Sequence, residues 1–131
     1  MSHEQQIEEI FIRLIKLFNL NGFSFHLMRR FVDERGRGVM NLKKSYVLAH
    51  TSLKNKTITI DIYTPRFRKP KSIRSILSIL AHEIAHHQKP PFRQRFRGHL
   101  IIRRHFPVFY NQVNRNIKKM KKDKILGKYF S

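Results

Sequence analysis

The 131-residue chain contains no cysteine. That absence excludes a disulfide framework, thiol catalysis, a zinc ribbon and a cysteine-ligated iron–sulfur cluster. Acidic residues are scarce: 8 Asp plus Glu stand against 28 Lys plus Arg, a formal net charge of +20. Such an excess bears on partners and solubility rather than on fold, and it makes an acidic partner the expectation, nucleic acid before an anionic membrane surface. No uncharged apolar run approaches the ~18 residues that a membrane-crossing helix needs. The opening MSHEQQIEEIF is acidic and helix-like, unlike the basic and then apolar pattern of a secretory signal. Internal repeats are lacking, and the one low-complexity piece is a Lys-rich C-terminal end, about residues 118–131. These features lead us to expect a soluble, cytoplasmic protein of a single domain, residues 1–131, whose 40% hydrophobic content supports a modest core.

Hydrophobic spacing supplies the elements. Ile7, Ile10, Phe11, Leu14, Leu17 and Phe18 recur at helical intervals, with Ser2 as a cap and Asn21-Gly22 as a stop. Phe23–Arg30 alternates like a strand, residues 33–44 read as a charged loop, and Ser45–His50 is a second strand. Lys54-Asn55-Lys56 reads as a turn into Thr57–Tyr63, the clearest strand. After a basic loop, Pro65–Lys71, Ser72 caps a helix carrying Ile73, Ile76, Leu77, Leu80 and Ile84. It must stop before Pro90-Pro91. Residues 90–104 read as a basic connection, with a short helix considered for Phe92–His99, and a last helix starts near Pro107 and carries Val108 or Phe109, Val113, Ile117 and Met120. The predicted class is α+β: an N-terminal helix, a small three-stranded sheet, a central helix and a C-terminal helix.

His82-Glu83-Ile84-Ala85-His86 lies inside the central helix. Four residues make about one turn, so both imidazoles leave the same face and can hold one zinc ion. Glu83 is then placed to take a proton from a water on that ion, whose pKa zinc lowers to about 7; peptide hydrolysis is the reaction this arrangement serves most directly. With 8 His and 5 Glu in the chain, shuffling would create the pattern in roughly 2% of such sequences, so it is specific. A catalytic zinc takes a third protein ligand. Downstream candidates are His99, His105 and, less readily, His87, which points about 100° away from His86 around the helix. His26 and His50 read as strand histidines on a sheet, and His3 as part of a frayed terminus.

HEIAH at 82–86, followed by H-x-P-x-F at 105–109, resembles the SprT-like (Spartan-type) zinc metalloproteases, and the order of elements is similar to their minimal, zincin-like protease core. The resemblance implies one Zn2+ per chain on His82, His86 and His105, with Glu83 as the general base. Gly98-His99 also looks like a ligand context, which keeps His99 as the alternative third ligand. What the resemblance further implies is cleavage of proteins bound or crosslinked to DNA, as in DNA–protein crosslink repair. Tyr110 and His99 are the candidates for stabilising an oxyanion.

The charge is clustered. Arg66, Arg68, Lys69, Lys71 and Arg74 precede and open the HExxH helix; Arg93, Arg95, Arg97, Arg103 and Arg104 lie between the histidine motifs, interleaved with Phe92 and Phe96. Arginine with aromatics suits phosphate contact and stacking on single strands, so a nucleic-acid surface is expected at Arg66, Arg68, Lys69, Arg93, Arg95, Arg97, Arg103 and Arg104. Binding should be sequence-independent and salt-sensitive, giving a DNA-associated cytoplasmic enzyme with DNA and protein as partners and no membrane role. The alternatives are a non-catalytic basic nucleic-acid-binding domain and a small zinc peptidase unrelated to DNA.

Overall fold

A computed structural model describes residues 2–27, 49–64 and 69–130. Its elements run α1 (His3–Phe18), β1 (Ser24–Leu27), β2 (Ala49–Ser52), β3 (Thr57–Ile60), α2 (Ile73–Gln88), β4 (Phe92–Phe96), β5 (His99–Arg103) and α3 (Pro107–Lys122), closed by a 3-10 turn at Gly127–Phe130. The described residues form an α+β fold of three helices and two small sheets. The expected loop at 33–44, the start of the second strand at Ser45, and Arg66 and Arg68 lie outside the described residues. Contacts divide the chain into two units, Met1–Ile76 and Leu77–Ser131, with the boundary inside α2.

In the first unit, α1 begins with a reciprocal cap. Ser2 Oγ accepts from the Gln5 amide at 3.1 Å while Gln5 Oε1 accepts from the Ser2 amide at 2.9 Å. The helix ends at Asn19, two residues before the predicted stop, because Asn19 takes the left-handed conformation (φ 57°) and the Leu20 amide closes on the Ile15 carbonyl. His3 is not frayed: its Nε2 donates to the Ile62 carbonyl at 3.1 Å and its ring lies 5.5 Å from that of Tyr63. The sheet order is β1-β3-β2, with β3 parallel to β1 and antiparallel to β2. Register puts Phe25, Ile58, Leu27, Ile60 and Ala49 on one face and Ser24, His26, Thr57, Thr59, His50 and Ser52 on the other. Phe11 stacks on Phe25 at 4.7 Å, which lays α1 over the apolar face. Ile7, Ile10, Leu14, Ile58, Ile60 and Ile62 are buried there, while His26 and His50 stand exposed on the polar side.

In α2, Ser72 Oγ accepts from the Ser75 amide at 3.2 Å, the cap expected from sequence, and the helix ends at Gln88 ahead of the two prolines. Residues 92–103 correct the sequence reading. They form neither an irregular connection nor a helix but an antiparallel hairpin, β4–β5. Phe92, Phe96 and Leu100 are spaced by four, which imitates a helix, yet FRQRF also alternates. The two-residue turn decides between them: Arg97 (φ 51°) and Gly98 (φ 80°) both take positive φ, the combination that matches strand twist. α3 starts with Pro107 in its first turn, and it buries Phe109 rather than Val108, together with Asn116 and Met120. Past the helix, Asp123 Oδ2 accepts from the Ile125 and Leu126 amides at 3.1 and 3.0 Å, which turns the Lys-rich end back and buries Leu126.

Candidate metal centre

One turn of α2 and His105, two residues ahead of α3, build the site. His82 and His86 leave the same face of α2, as a four-residue spacing requires, and His105 lies two residues ahead of Pro107. The three imidazoles converge: ring centroids are 4.9 Å apart for His82–His86, 5.1 Å for His82–His105 and 5.0 Å for His86–His105. One nitrogen from each lies within 4.8 Å of the others, a set that can hold a metal ion. His99, the alternative third ligand, and His87 do not belong to this cluster. His99 pairs with Phe96 at the far end of the hairpin, where it is exposed.

The donor set fits a borderline transition ion. Three imidazole nitrogens suit zinc, copper or nickel and suit calcium or magnesium poorly. Burial pushes the pKa of His82 down, and the neighbouring His105 adds to this. Burial also lowers His86, to about 4, with His82, His105, His87 and Arg104 acting in the same direction. Both imidazoles are therefore neutral at physiological pH, the state in which they ligate. His105 is exposed while His82 and His86 are half-buried, so the cluster is not enclosed by protein on all sides.

Glu83 lies about 100° around α2 from His82 and about 60° from His86. It is 8% exposed, and burial raises its pKa to about 7. No acid other than Glu83, Asp61 and Asp123 is buried among the described residues, so an acidic side chain is retained here against its desolvation cost.

Sequence reasoning placed Phe109 in the last helix and its motif but gave it no contact with the histidines, and it missed Asn116 altogether. Phe109, fully buried, stacks on His86 at 4.5 Å and presents its ring edge-on to His82 at 5.0 Å and His105 at 5.2 Å. It is the floor that sets the separation of the three rings. Asn116 is 1% exposed; its Nδ2 donates to the Ala81 carbonyl at 3.1 Å and to Gln88 Oε1 at 2.7 Å, while its Oδ1 accepts from Gln112 Nε2 at 3.0 Å. α3 is thus pinned to the α2 turn that carries both histidines. A signal was present, since positions 109, 113, 116 and 120 form a helical stripe on which Asn116 is the one polar residue. Asn116→Leu should lower unfolding free energy by about 1–3 kcal/mol, because the buried bond to the Ala81 carbonyl is lost and half-buried Gln112 loses its acceptor. Urea denaturation checks this, and an unchanged midpoint would show that the tie is dispensable.

The basic residues divide between two faces. Arg93 and Arg95 share one face of the hairpin with Ile102 and Leu100, whereas Arg103 lies on the other with Phe92, Gln94 and Phe96. Phe96 carries Arg97 at 5.3 Å and Arg103 at 5.5 Å over its ring. Arg93, Arg95, Arg97, Arg104 and Lys69 are exposed. Tyr110, also exposed, has its ring 6.2 Å from that of His105. No helix among the described residues is long and apolar enough to cross a membrane. No family model matches the chain, and the comparisons with curated proteins and with solved structures likewise found no match.

Proposed function

We propose that the protein is a zinc-dependent metallopeptidase of the SprT-like type that acts on proteins bound or crosslinked to DNA. The observation that carries this reading is the convergence of His82, His86 and His105 beside a buried acid, Glu83, on the next residue of the same helix. Structural zinc sites close with four protein ligands, whereas three imidazoles leave a position for a substrate. A bound zinc ion supplies Lewis-acid polarisation of a carbonyl and a more acidic water. His82, His86 and His105 would hold it, with Phe109 packed against their rings. Glu83 would accept the proton of the attacking water and return it to the leaving amine. Tyr110 offers a hydroxyl donor on the His105 side.

The charge of +20 supports the DNA part of the reading. Arg93, Arg95 and Arg97 project from an exposed hairpin and suit sequence-independent phosphate contact. Replacing all three with alanine should weaken DNA binding and reduce the slope of log K against log salt by up to about 3, with zinc content unchanged. Titrations at several salt concentrations measure this; an unaltered slope would place the DNA surface elsewhere. The reading as a whole is tested by incubating a DNA-bound protein with the enzyme, with and without zinc and with and without DNA. Cleavage should need zinc and rise with DNA. Salt-sensitive DNA binding with no cleavage would favour a non-catalytic nucleic-acid-binding domain, and cleavage indifferent to DNA would favour a peptidase unrelated to it.

A further inference from the structure

Between the β4–β5 hairpin and the start of α3 lies a cavity of about 520 Å3, within the ~300–1,000 Å3 range of ligand sites. Its walls include Phe92, Gln94, Arg103, His105, Phe106 and Val108. We propose that this cavity is a peptide subsite that takes an aromatic side chain of the substrate with an acidic side chain beside it. The proposal rests on the peptidase reading and names the class of sequence that it selects.

Position is the first argument. His105 belongs both to the cavity wall and to the imidazole cluster, so an occupant lies beside one of the three clustered imidazoles. Chemistry is the second. Phe92 and Phe106 meet edge to face at 4.9 Å and 76°, forming an apolar corner, and Val108 adds an aliphatic wall. Phe92 and Val108 remain 44% and 53% exposed, apolar surface that an inserted ring would cover. The third argument is charge. Arg103 Nε donates to Gln94 Oε1 at 2.8 Å across the strands, which fixes the guanidinium and leaves its two Nη groups for a carboxylate. No acidic residue lines the cavity, and the chain as a whole carries +20. A nucleobase fits less well, since an edge-to-face corner offers no flat platform for stacking.

The test separates binding from cleavage. Fluorescein-labelled decapeptides centred on Phe-Asp, Ala-Asp or Phe-Lys are titrated against the 131-residue Glu83→Gln chain and followed by anisotropy. Phe-Asp should bind at least tenfold more tightly than either of the others. Val108→Trp, which fills the cavity from an exposed position, should erase the advantage of Phe over Ala. Arg103→Gln should erase the advantage of Asp over Lys, and circular dichroism verifies that both variants fold. Equal affinities for the three peptides overturn the proposal. So does an oligothymidylate whose binding Val108→Trp abolishes while the peptides stay indistinguishable, because the cavity then serves nucleic acid. Discrimination among peptides by a chain whose Glu83 form cleaves no protein would sustain the subsite and sink the peptidase reading alone.

Discussion

His105→Ala should remove the metal, and His99→Ala should not. The unaltered protein is expected to bind one zinc per chain, because its three converging nitrogens are already close together and burial lowers the pKa of His82 and His86 toward the neutral, ligating form. Loss of one imidazole of three should weaken zinc binding by more than the ~10–100-fold typical of outer partners. His105 is exposed, so truncating it leaves the apolar interior intact and the variant reports on the metal rather than on folding. Zinc at ~100 times its dissociation constant adds about 2.7 kcal/mol to the stability of a folded state that alone binds it. That increment should vanish in His105→Ala and persist in His99→Ala. Metal analysis beside thermal unfolding, each with and without zinc, gives both readouts. Retention of zinc by His105→Ala, or its loss in His99→Ala, would falsify the triad.

Glu83→Gln should abolish proteolysis and stabilise the metal-free chain at alkaline pH. A positioned general base contributes about 10²–10⁴-fold to rate, so cleavage should fall by at least that lower bound while zinc content stays at the wild-type level. The stability effect follows from burial, which raises the Glu83 pKa from 4.5 to about 7 in the folded chain. Below pH 4.5 the carboxyl is neutral folded and unfolded, and Glu and Gln are equivalent. As pH rises through 7 the folded chain must carry a buried charge that the unfolded chain solvates, so the contribution of the protonated form is lost. Glutamine never charges. The variant should therefore match wild type near pH 4 and exceed it near pH 8 by about 1–2 kcal/mol, after allowance for solvent that reaches the site. The lowered values of His82 and His86 act in the opposite sense, but they are common to both proteins and cancel in the comparison. Denaturant unfolding of the metal-free proteins across pH 4–8 measures this, and curves that stay parallel would show that Glu83 is not desolvated.

Much of this was legible in the sequence for a local reason. His82, Glu83 and His86 fall within one helical turn, so 3.6-residue periodicity alone dictates their common side. The caps at Ser2 and Ser72, the stop before Pro90 and the start at Pro107 are likewise set by neighbours a few residues away. β3, which stops at Ile60 rather than Tyr63, was readable because Ile58 and Ile60 bury while Thr57 and Thr59 do not.

What tertiary structure decided involves residues distant in the chain or patterns that two conformations share. FRQRFRGHLIIR satisfies a four-residue spacing and a two-residue one, and only pairing across the Arg97-Gly98 turn selects the hairpin. Local spacing ranks neither His99 nor His105 as the partner of His82 and His86. His105 joins them because Phe109 and Asn116 dock α3 on α2, a contact across more than twenty residues that no periodicity encodes. The hairpin also separates Arg93 and Arg95 from Phe92 and Phe96, which alternate in sequence but project from opposite faces. The sequence by itself thus determined the α+β class and the HExxH pair, because hydrophobic period and helix geometry are local. Which third histidine completes the cluster, and which face each arginine takes, depended on burial of apolar surface between elements far apart in the chain.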